Sequence, residues 1–354
     1  MTNSPPPADP QPSLHEDIQH VSVAVVTVNY RTPELTKKCL AALAGEKALL
    51  PNLRAIVVDG GSGDGSAAEL DAFIARPEYQ SWVSFFPLKL NGGFAWANNQ
   101  AIMTLAREPS PPEFVHLLNP DAEITPGAVA HLVSELKAHP RCGVAGSQLF
   151  DEAGRAAASA FRFPSAGREF VSAAQSGRLG SFLGIAPAVI EAAQACEVDW
   201  VTGASMMLRS SALRETGLFD DGFFLYYEEV ELMHRLKAAG WTVRYVPKSR
   251  VVHHEGSATG IATAQTLPPY WYQSRRRYFA LTGGPFAMLS ADLGCLAGHA
   301  VRKAKRLIGR RDGGSGFRAA QLGRGIWPQA RLRRPSTPAW GDPPGEPPMW
   351  MSQR

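Results

Sequence analysis

Residues 21–64 read VSVAVVTVNYRTPELTKKCLAALAGEKALLPNLRAIVVDGGSGD. The first ten are β-branched and almost wholly apolar, which predicts a strand buried on both faces of a parallel sheet. Pro33 suits the first turn of a helix. ELTKKCLAAL then sets Leu35, Cys39, Leu40 and Leu43 on one stripe at helical period. LRAIVVD repeats the buried-strand pattern and runs into the glycine-rich turn Gly60–Gly65, after which AAELDAFIA is again helical.

Working outward, the alternation continues. WVSFFPL and FVHLLNPD read as strands, FAWANNQAIMTLA and PGAVAHLVSELKAH as helices. Strands and helices alternating at this spacing predict a doubly wound α/β sheet with right-handed crossovers. Such sheets bind ligands beyond the carboxyl ends of their strands. Asn29–Arg31, Asp59–Asp64 and Asn119–Asp121 all fall there.

From Phe150 to Glu197 the pattern weakens into Ala, Gly and Ser, and irregular segments over the site are expected. VDWVTGASMMLRSSALRETG then predicts a strand and a short helix. FFLYYEEVELMHRLKAAG predicts a helix ended by Gly240, and WTVRYVP another strand. The expected organisation is a flexible leader over 1–20, one catalytic domain over 21–266, an aromatic and basic helical extension over 267–310, and a disordered tail over 311–354.

Composition narrows the function. The 354-residue chain is 45% hydrophobic and 19% charged, as in globular proteins. Its net charge of +4 sits mostly toward one end, which argues against nucleic acid as a partner. Cys39, Cys142, Cys196 and Cys295 show no zinc or disulfide spacing, which fits a reducing, cytoplasmic compartment. The Pro-rich N-terminus lacks the plan of a secretory signal. Phe279–Ala300, the most apolar stretch, is interrupted by Gly283-Gly284-Pro285, Asp292 and His299, so no membrane span is expected. YWYQSRRRYF and VRKAKRLIGRR, by contrast, suit a peripheral contact with a bilayer surface or a basic helix packed on the domain.

Four places carry chemistry. Asp59 ends a strand before glycines that let a ligand approach the backbone; the alternative is a tight turn capped by Ser62 or Asp64. Asn119-Pro120-Asp121, with Glu123 nearby, offers oxygen ligands for a divalent cation or an ordinary polar turn. Glu228, Glu229 and Glu231 lie beside Tyr226-Tyr227, where burial would raise a carboxyl pKa as a general base requires; they equally suit an acidic first helical turn. His253 closes a strand as a metal ligand or a hydrogen-bonded surface histidine. The glycines do not spell GxGxxG in register, which excludes a nicotinamide fingerprint.

Taken together, these segments resemble the family 2 inverting glycosyltransferases of GT-A fold, and especially their rhamnosyltransferase-like members. VVTVNYRTPEL resembles the family's first strand and turn, and VVDGGSGDGS its DNxSxDGS nucleotide loop. LNGGFAWANNQAI resembles its NxGFAxANNxG segment, and LLNPDAEI its DxD-type metal motif. VDWVTGASMMLRSSALRETGLFDDGFFLYYEEVELMHRLKAAGW resembles the acceptor-and-base block, and VVHHEGSAT the terminal metal histidine. The similarity spans Val21 to Thr259 in order.

The resemblance implies a Rossmann-like, doubly wound mixed sheet with a C-terminal helical extension. It places Asn29, Arg31, Asp59, Asp64, Asn91 and Asn119 on the nucleotide-sugar, Asp121 and His253 on Mn2+ or Mg2+, and Gly203, Ala204 and Glu228 on the acceptor side. Glu229 would be the general base. It further implies a nucleotide-diphosphate sugar donor, with rhamnose from dTDP-rhamnose the leading choice, and a glycan or lipid-linked acceptor in cell-surface polysaccharide synthesis. Gly60 stands where the family has Asn, and Asn119 where many members have Asp. A degenerate module that only binds nucleotide-sugar would be expected to lack Asp121, Glu229 or His253, and all three are present.

Overall fold

The computed structural model describes residues 18–254, 267–307 and 337–345. Strands β1 (Val23–Asn29), β2 (Leu53–Asp59), β3 (Val83–Pro87) and β4 (Phe114–Leu118) are parallel, joined by helices α1 (Pro33–Ala44), α2 (Ser66–Ile74) and α3 (Gly93–Ala106). There follow β5 (Ala122–Ile124), α4 (Ala128–Ala138), β6 (Cys142–Phe150), β7 (Ala160–Phe161), α5 (Ala166–Ala174) and α6 (Gly177–Phe182). The order then runs β8 (Cys196–Val198), β9 (Trp200–Val201), β10 (Ser205–Arg209), α7 (Ser210–Thr216), α8 (Glu228–Ala238), β11 (Thr242–His253) and α9 (Pro269–Leu307).

The main sheet runs β3-β2-β1-β4-β10-β6-β11-β5, with β8 on β11, while β7 and β9 form a small separate ribbon. Strand β10 is antiparallel to both β4 and β6, so the sheet is mixed. Its two faces have separate cores. Ala24 and Val26 of β1 join Leu117, Met206, Leu208 and Phe219 on one face. Val23 and Val25 join Leu40, Leu43, Leu132 and Val251 on the other. A strand buried this way shows no polar alternation, which is why VSVAVVTVNY is almost wholly apolar.

Three expectations needed correction. Residues 150–197 are not wholly irregular: α5 and α6 form there, capped by Ser165, whose Oγ accepts from Arg168 N, and by Ser176, whose Oγ accepts from Leu179 N. Packing on α9 holds α5 in place: a Cβ added at Gly294 or Gly298 would sit 2.4 Å from the carbonyl oxygen of Ala166 or Phe170. Second, FFLYY is not helical. Tyr226 and Tyr227 take φ of 71° and 69°, and α8 begins only at Glu228.

Third, within the stretch expected to be disordered, residues 337–345 lie against the domain. Leu218 N donates to Pro338 O at 2.9 Å, Trp340 packs on the core, and Arg214 lies over its ring. The leader up to residue 17 and the rest of the tail lie outside the described residues. Gly283-Gly284-Pro285 does interrupt α9, as a kink at Gly284 (φ 70°, ψ −169°). Even so, α9 is the one helix among the described residues long and apolar enough to cross a membrane, judged by length and composition, with mean hydropathy 1.3 in its most apolar window.

Candidate active site

The carboxyl ends of β1 and β2 are tied by their last residues, which stand in register as Asn29 and Asp59. Both are buried. Asn29 Nδ2 donates to Asp59 Oδ2 at 2.8 Å and to Ser62 Oγ at 3.4 Å, while its Oδ1 accepts from Thr32 and Thr36. The Asp59 carboxylate also accepts from Ser62 N at 2.9 Å and Ser62 Oγ at 2.7 Å. Arg31 has a left-handed φ of 59°; its N donates to Ser62 Oγ and its Nε to Ser62 O. Ser62, named in the sequence reading only as a cap of the alternative tight turn, is therefore the hub of this loop. The signal was present: a serine three residues after a strand-end aspartate is a turn-capping arrangement.

Asp64 lies apart from that hub. It is exposed and accepts from Ser66 N and Oγ at the start of α2; those bonds hold its carboxyl below the usual range. Asn91 Oδ1 accepts from Gly93 N at the start of α3. Gly93, with φ of +85°, allows the loop before α8 to close in: a Cβ there would lie 2.1 Å from Phe224 O, and Phe94 N donates to that same oxygen. Asn99, buried on α3, grips the same region by donating to Phe219 O at 2.8 Å and Asp221 Oδ1 at 2.7 Å. Burial pushes the Asp221 carboxyl up to about 7. Neither Asn99 nor Asp221 was assigned a role from sequence, although an amide on a helix as apolar as GFAWANNQAIMTLA marks a partner across the core.

Asp121 and His253 are separated by 132 residues and are brought together by the antiparallel pairing of β5 with β11, in which His253 faces Ala122. Asp121 Oδ1 lies 3.1 Å from His253 Nε2, and Asn119 Nδ2 lies 3.4 Å from the same nitrogen. Asp121 is only 3% exposed. If Nε2 carries hydrogen it donates to Asp121; if it does not, a carboxylate faces a ring lone pair. A cation satisfies the second arrangement, with both groups as ligands. Among the described residues no cluster of three or more His, Cys, Asp or Glu side chains could hold a metal.

From this pair the path to the acids is short. Asn119 N donates to Ala204 O at 2.9 Å, and the neighbouring Gly203 lies beside the Phe94 ring and the Cβ of Glu229. The three acids of EEVE have different surroundings. Glu231 is held in a two-bond ion pair with Arg235, at 2.9 and 2.8 Å, and Arg235 also donates to Thr216 O and Leu218 O. Glu228 and Glu229 each keep a buried Oε2 with no hydrogen-bond partner. Burial pushes the Glu229 carboxyl up to about 7. Burial first, and then the Glu229 charge, raises Glu228 well above the usual range. A helix N-terminus lowers carboxyl pKa values, so desolvation outweighs the dipole of α8 here.

The structure thus assembles Asn119, Asp121, Gly203, Ala204, Glu229 and His253 along one continuous path, with Glu228 next to Glu229. Asn29, Arg31 and Asp59 form the separate Ser62-centred loop, while Asp64 and Asn91 serve the starts of their own helices.

Comparison with known proteins agrees with this architecture. The profile described as glycosyl transferase family 2 matches residues 22–164, and that described as glycosyl transferase family group 2 matches residues 114–301. The chain is 32% identical over 255 residues to the N-acetylglucosaminyl-diphospho-decaprenol L-rhamnosyltransferase of Mycobacterium tuberculosis, an alignment covering 69% of this chain and 79% of that one. A shorter match, 39% identical over 57 residues, covers 16% of this chain and 22% of the rhamnosyltransferase WbbL of Escherichia coli. Among solved structures, the mannosyltransferase PcManGT from Pyrobaculum calidifontis, in complex with GDP-Man and Mn2+, superposes with a TM-score of 0.51 at 15% identity. That alignment covers 87% of this chain and 81% of that one and shows a shared fold. The chain belongs to glycosyltransferase family 2: it is an enzyme of GT-A fold, of the rhamnosyltransferase-like group.

Proposed function

We propose that the protein transfers rhamnose from dTDP-rhamnose, with inversion at the anomeric carbon, to a lipid-linked, GlcNAc-terminated acceptor in cell-envelope polysaccharide synthesis. The sugar and the acceptor class rest on the Mycobacterium tuberculosis relative, whose name specifies an N-acetylglucosaminyl-diphospho-decaprenol acceptor and L-rhamnose. The catalytic reading rests on one observation: the Asp121–His253 pair and the Glu229 carboxyl, whose Oε2 has no hydrogen-bond partner, are linked by two short steps, Asn119 to Ala204 and Gly203 to Glu229.

In this reading Asp121 and His253 hold Mn2+ or Mg2+, which when bound offsets the charge on the departing diphosphate. Glu229, poised near neutrality, takes the proton from the acceptor hydroxyl. The acceptor oxygen bonds to the anomeric carbon as the bond to the diphosphate oxygen breaks, and the nucleoside diphosphate leaves. A single displacement with one base and no protein nucleophile inverts configuration, as in inverting glycosidases. Burial favours the protonated form of Glu228, which in that form can donate to an acceptor hydroxyl.

On the donor side, both amide hydrogens of Asn29 are spent on Asp59 and Ser62, so its part is to fix the loop on which Asp59 and Arg31 meet the nucleotide. Asn91 shapes the start of α3, and Asp64 the start of α2, at the margin of that loop. Work at the cytoplasmic face of the membrane fits a lipid-linked acceptor. The test is a survey of nucleotide-sugars with and without Mn2+, on a short GlcNAc-diphospho-lipid. Metal-dependent transfer from dTDP-rhamnose, with a product of opposite anomeric configuration, is the expected result. Preferential use of another donor would overturn the sugar assignment, and retained configuration would overturn the role of Glu229.

A further inference from the structure

Helix α9 changes character at its kink. Before Gly284, the aromatic and basic residues that suggested a bilayer contact face inward. Tyr272, Arg275, Arg276, Arg277 and Tyr278 are buried, and the arginines pair with Glu169, Asp292 and Asp220. That half is bound to the catalytic domain and unavailable to lipid.

After the kink the helix has two faces. Met288, Ala291, Cys295 and Gly298 are buried, and Gly294 and Gly298 allow the close approach of α5. On the opposite side, Phe286, Leu289, Leu293 and Leu296 are 85%, 55%, 57% and 39% exposed. They step by three, four and three residues, and the same steps continue through exposed Ala300 and Lys303 to Leu307, which is 81% exposed. Five of the nine large exposed hydrophobics among the described residues lie on this stripe. A solvated face would not be built this way.

Charge decides the occupant. Between 285 and 307 the only acid is Asp292, and it is buried in its ion pairs, so the outer face carries no negative charge. Lys303 and Arg306 are exposed at the end of the stripe, and the sequence continues with Arg310 and Arg311. A second copy of the chain packed on the stripe would bring these cations against a face with no acid to meet them. An anionic bilayer supplies both the apolar depth and the negative surface.

We propose that the outer face of α9 from Phe286 to Leu307 is a peripheral docking surface for anionic membrane, with the helix lying in the interface plane. This deepens the lipid-linked acceptor reading and rests on it. The buried face packed on α5 sets the depth of the helix, and the kink separates it from the half of α9 that is fixed to the catalytic loops.

Full-length protein is floated with vesicles of phosphatidylglycerol and phosphatidylcholine, or of phosphatidylcholine alone, with neither donor nor acceptor present. The expected result is binding to the anionic vesicles only, with release in high salt or alkaline carbonate. L289S/L293S, at exposed positions, should lower partitioning by at least about tenfold from the lost apolar burial. K303E/R306E should remove the salt dependence. Equal flotation of L289S/L293S and wild type would overturn the proposal. So would retention after carbonate, which marks a spanning helix, or a lipid-free dimer that L289S/L293S disperses, which marks a self-interface. Transfer to a detergent-dispersed GlcNAc-diphospho-lipid is measured in parallel. Wild-type protein that transfers sugar but does not bind the anionic vesicles refutes this surface alone, while no transfer by any form of the protein refutes the acceptor reading.

Discussion

Replacing Glu229 by Gln keeps the shape of the side chain and removes its basicity. Burial pushes the carboxyl of the free protein up to about 7, so wild-type kcat/KM should fall about tenfold per pH unit below that value and level off above it. Loss of a general base costs roughly two to four orders of magnitude in rate, or about 3 to 5 kcal/mol of barrier. The variant should lose that much turnover at pH 8, lose the acidic limb, and keep metal-dependent donor binding.

A stability change should accompany the loss. A carboxyl whose pKa is raised from 4.5 to about 7 on folding holds its proton more tightly in the folded state. Its contribution to stability is therefore complete below about 4.5 and lost as pH rises through about 7. Glu229→Gln removes that penalty, so the variant should be more stable than wild type at pH 8, by at most about 3 kcal/mol. Urea unfolding at pH 5 and pH 8 reads this, with most of the difference appearing at pH 8. Glu231→Gln serves as the control. It breaks the pair with Arg235, and should lower stability at both pH values while leaving the acidic limb in place. Near-wild-type transfer by Glu229→Gln, or an acidic limb that survives in it, would refute the reasoning.

Asp121→Ala should abolish transfer and remove the Mn2+ dependence of donor binding in isothermal titration while the protein stays folded; wild-type donor affinity in Mn2+ would contradict its assignment. Asp59→Ala removes an acceptor of three hydrogen bonds from Asn29 and Ser62, so a raised donor KM should come with a stability loss of about 1–3 kcal/mol in urea. An unchanged KM with collapsed turnover would place Asp59 at the chemistry instead.

Much of the fold is legible in local pattern because its causes are local. Val23–Asn29 and Leu53–Asp59 are mostly apolar because each is covered on both faces, and that cover shows in composition wherever the strand lies. The glycine-rich turn and Pro33 act on their own backbone torsions. The acids of EEVE were legible as a group for the same reason, but their ranking came only from the family resemblance and not from local pattern. Glu231 is separated from Glu229 by an arginine four residues further on and by carbonyls of the 216–218 loop, while Glu229 is defined by a carboxyl oxygen with no partner. Partners from other elements set a pKa, and spacing does not report them.

What only the tertiary structure decided depends on contacts between residues distant in sequence. Asp121 meets His253 because β11 pairs with both β6 and β5, and Asn119 reaches Ala204 because β10 inserts antiparallel beside β4. Tyr226 and Tyr227 leave the helix that FFLYYEEVELMHRLKAAG predicts because Phe224 O is held by Phe94 N and Leu225 O by Ser274. Those bonds over-determine a backbone conformation that tyrosine alone disfavours. RRRY looked like a surface for lipid phosphates until Glu169, Asp220 and Asp292 neutralised it inside the protein, leaving the apolar stripe beyond Gly284 exposed. Sequence determined which residues could do chemistry and which backbone each segment prefers; the fold decided which charges are cancelled, because cancellation requires a partner that only folding brings within reach.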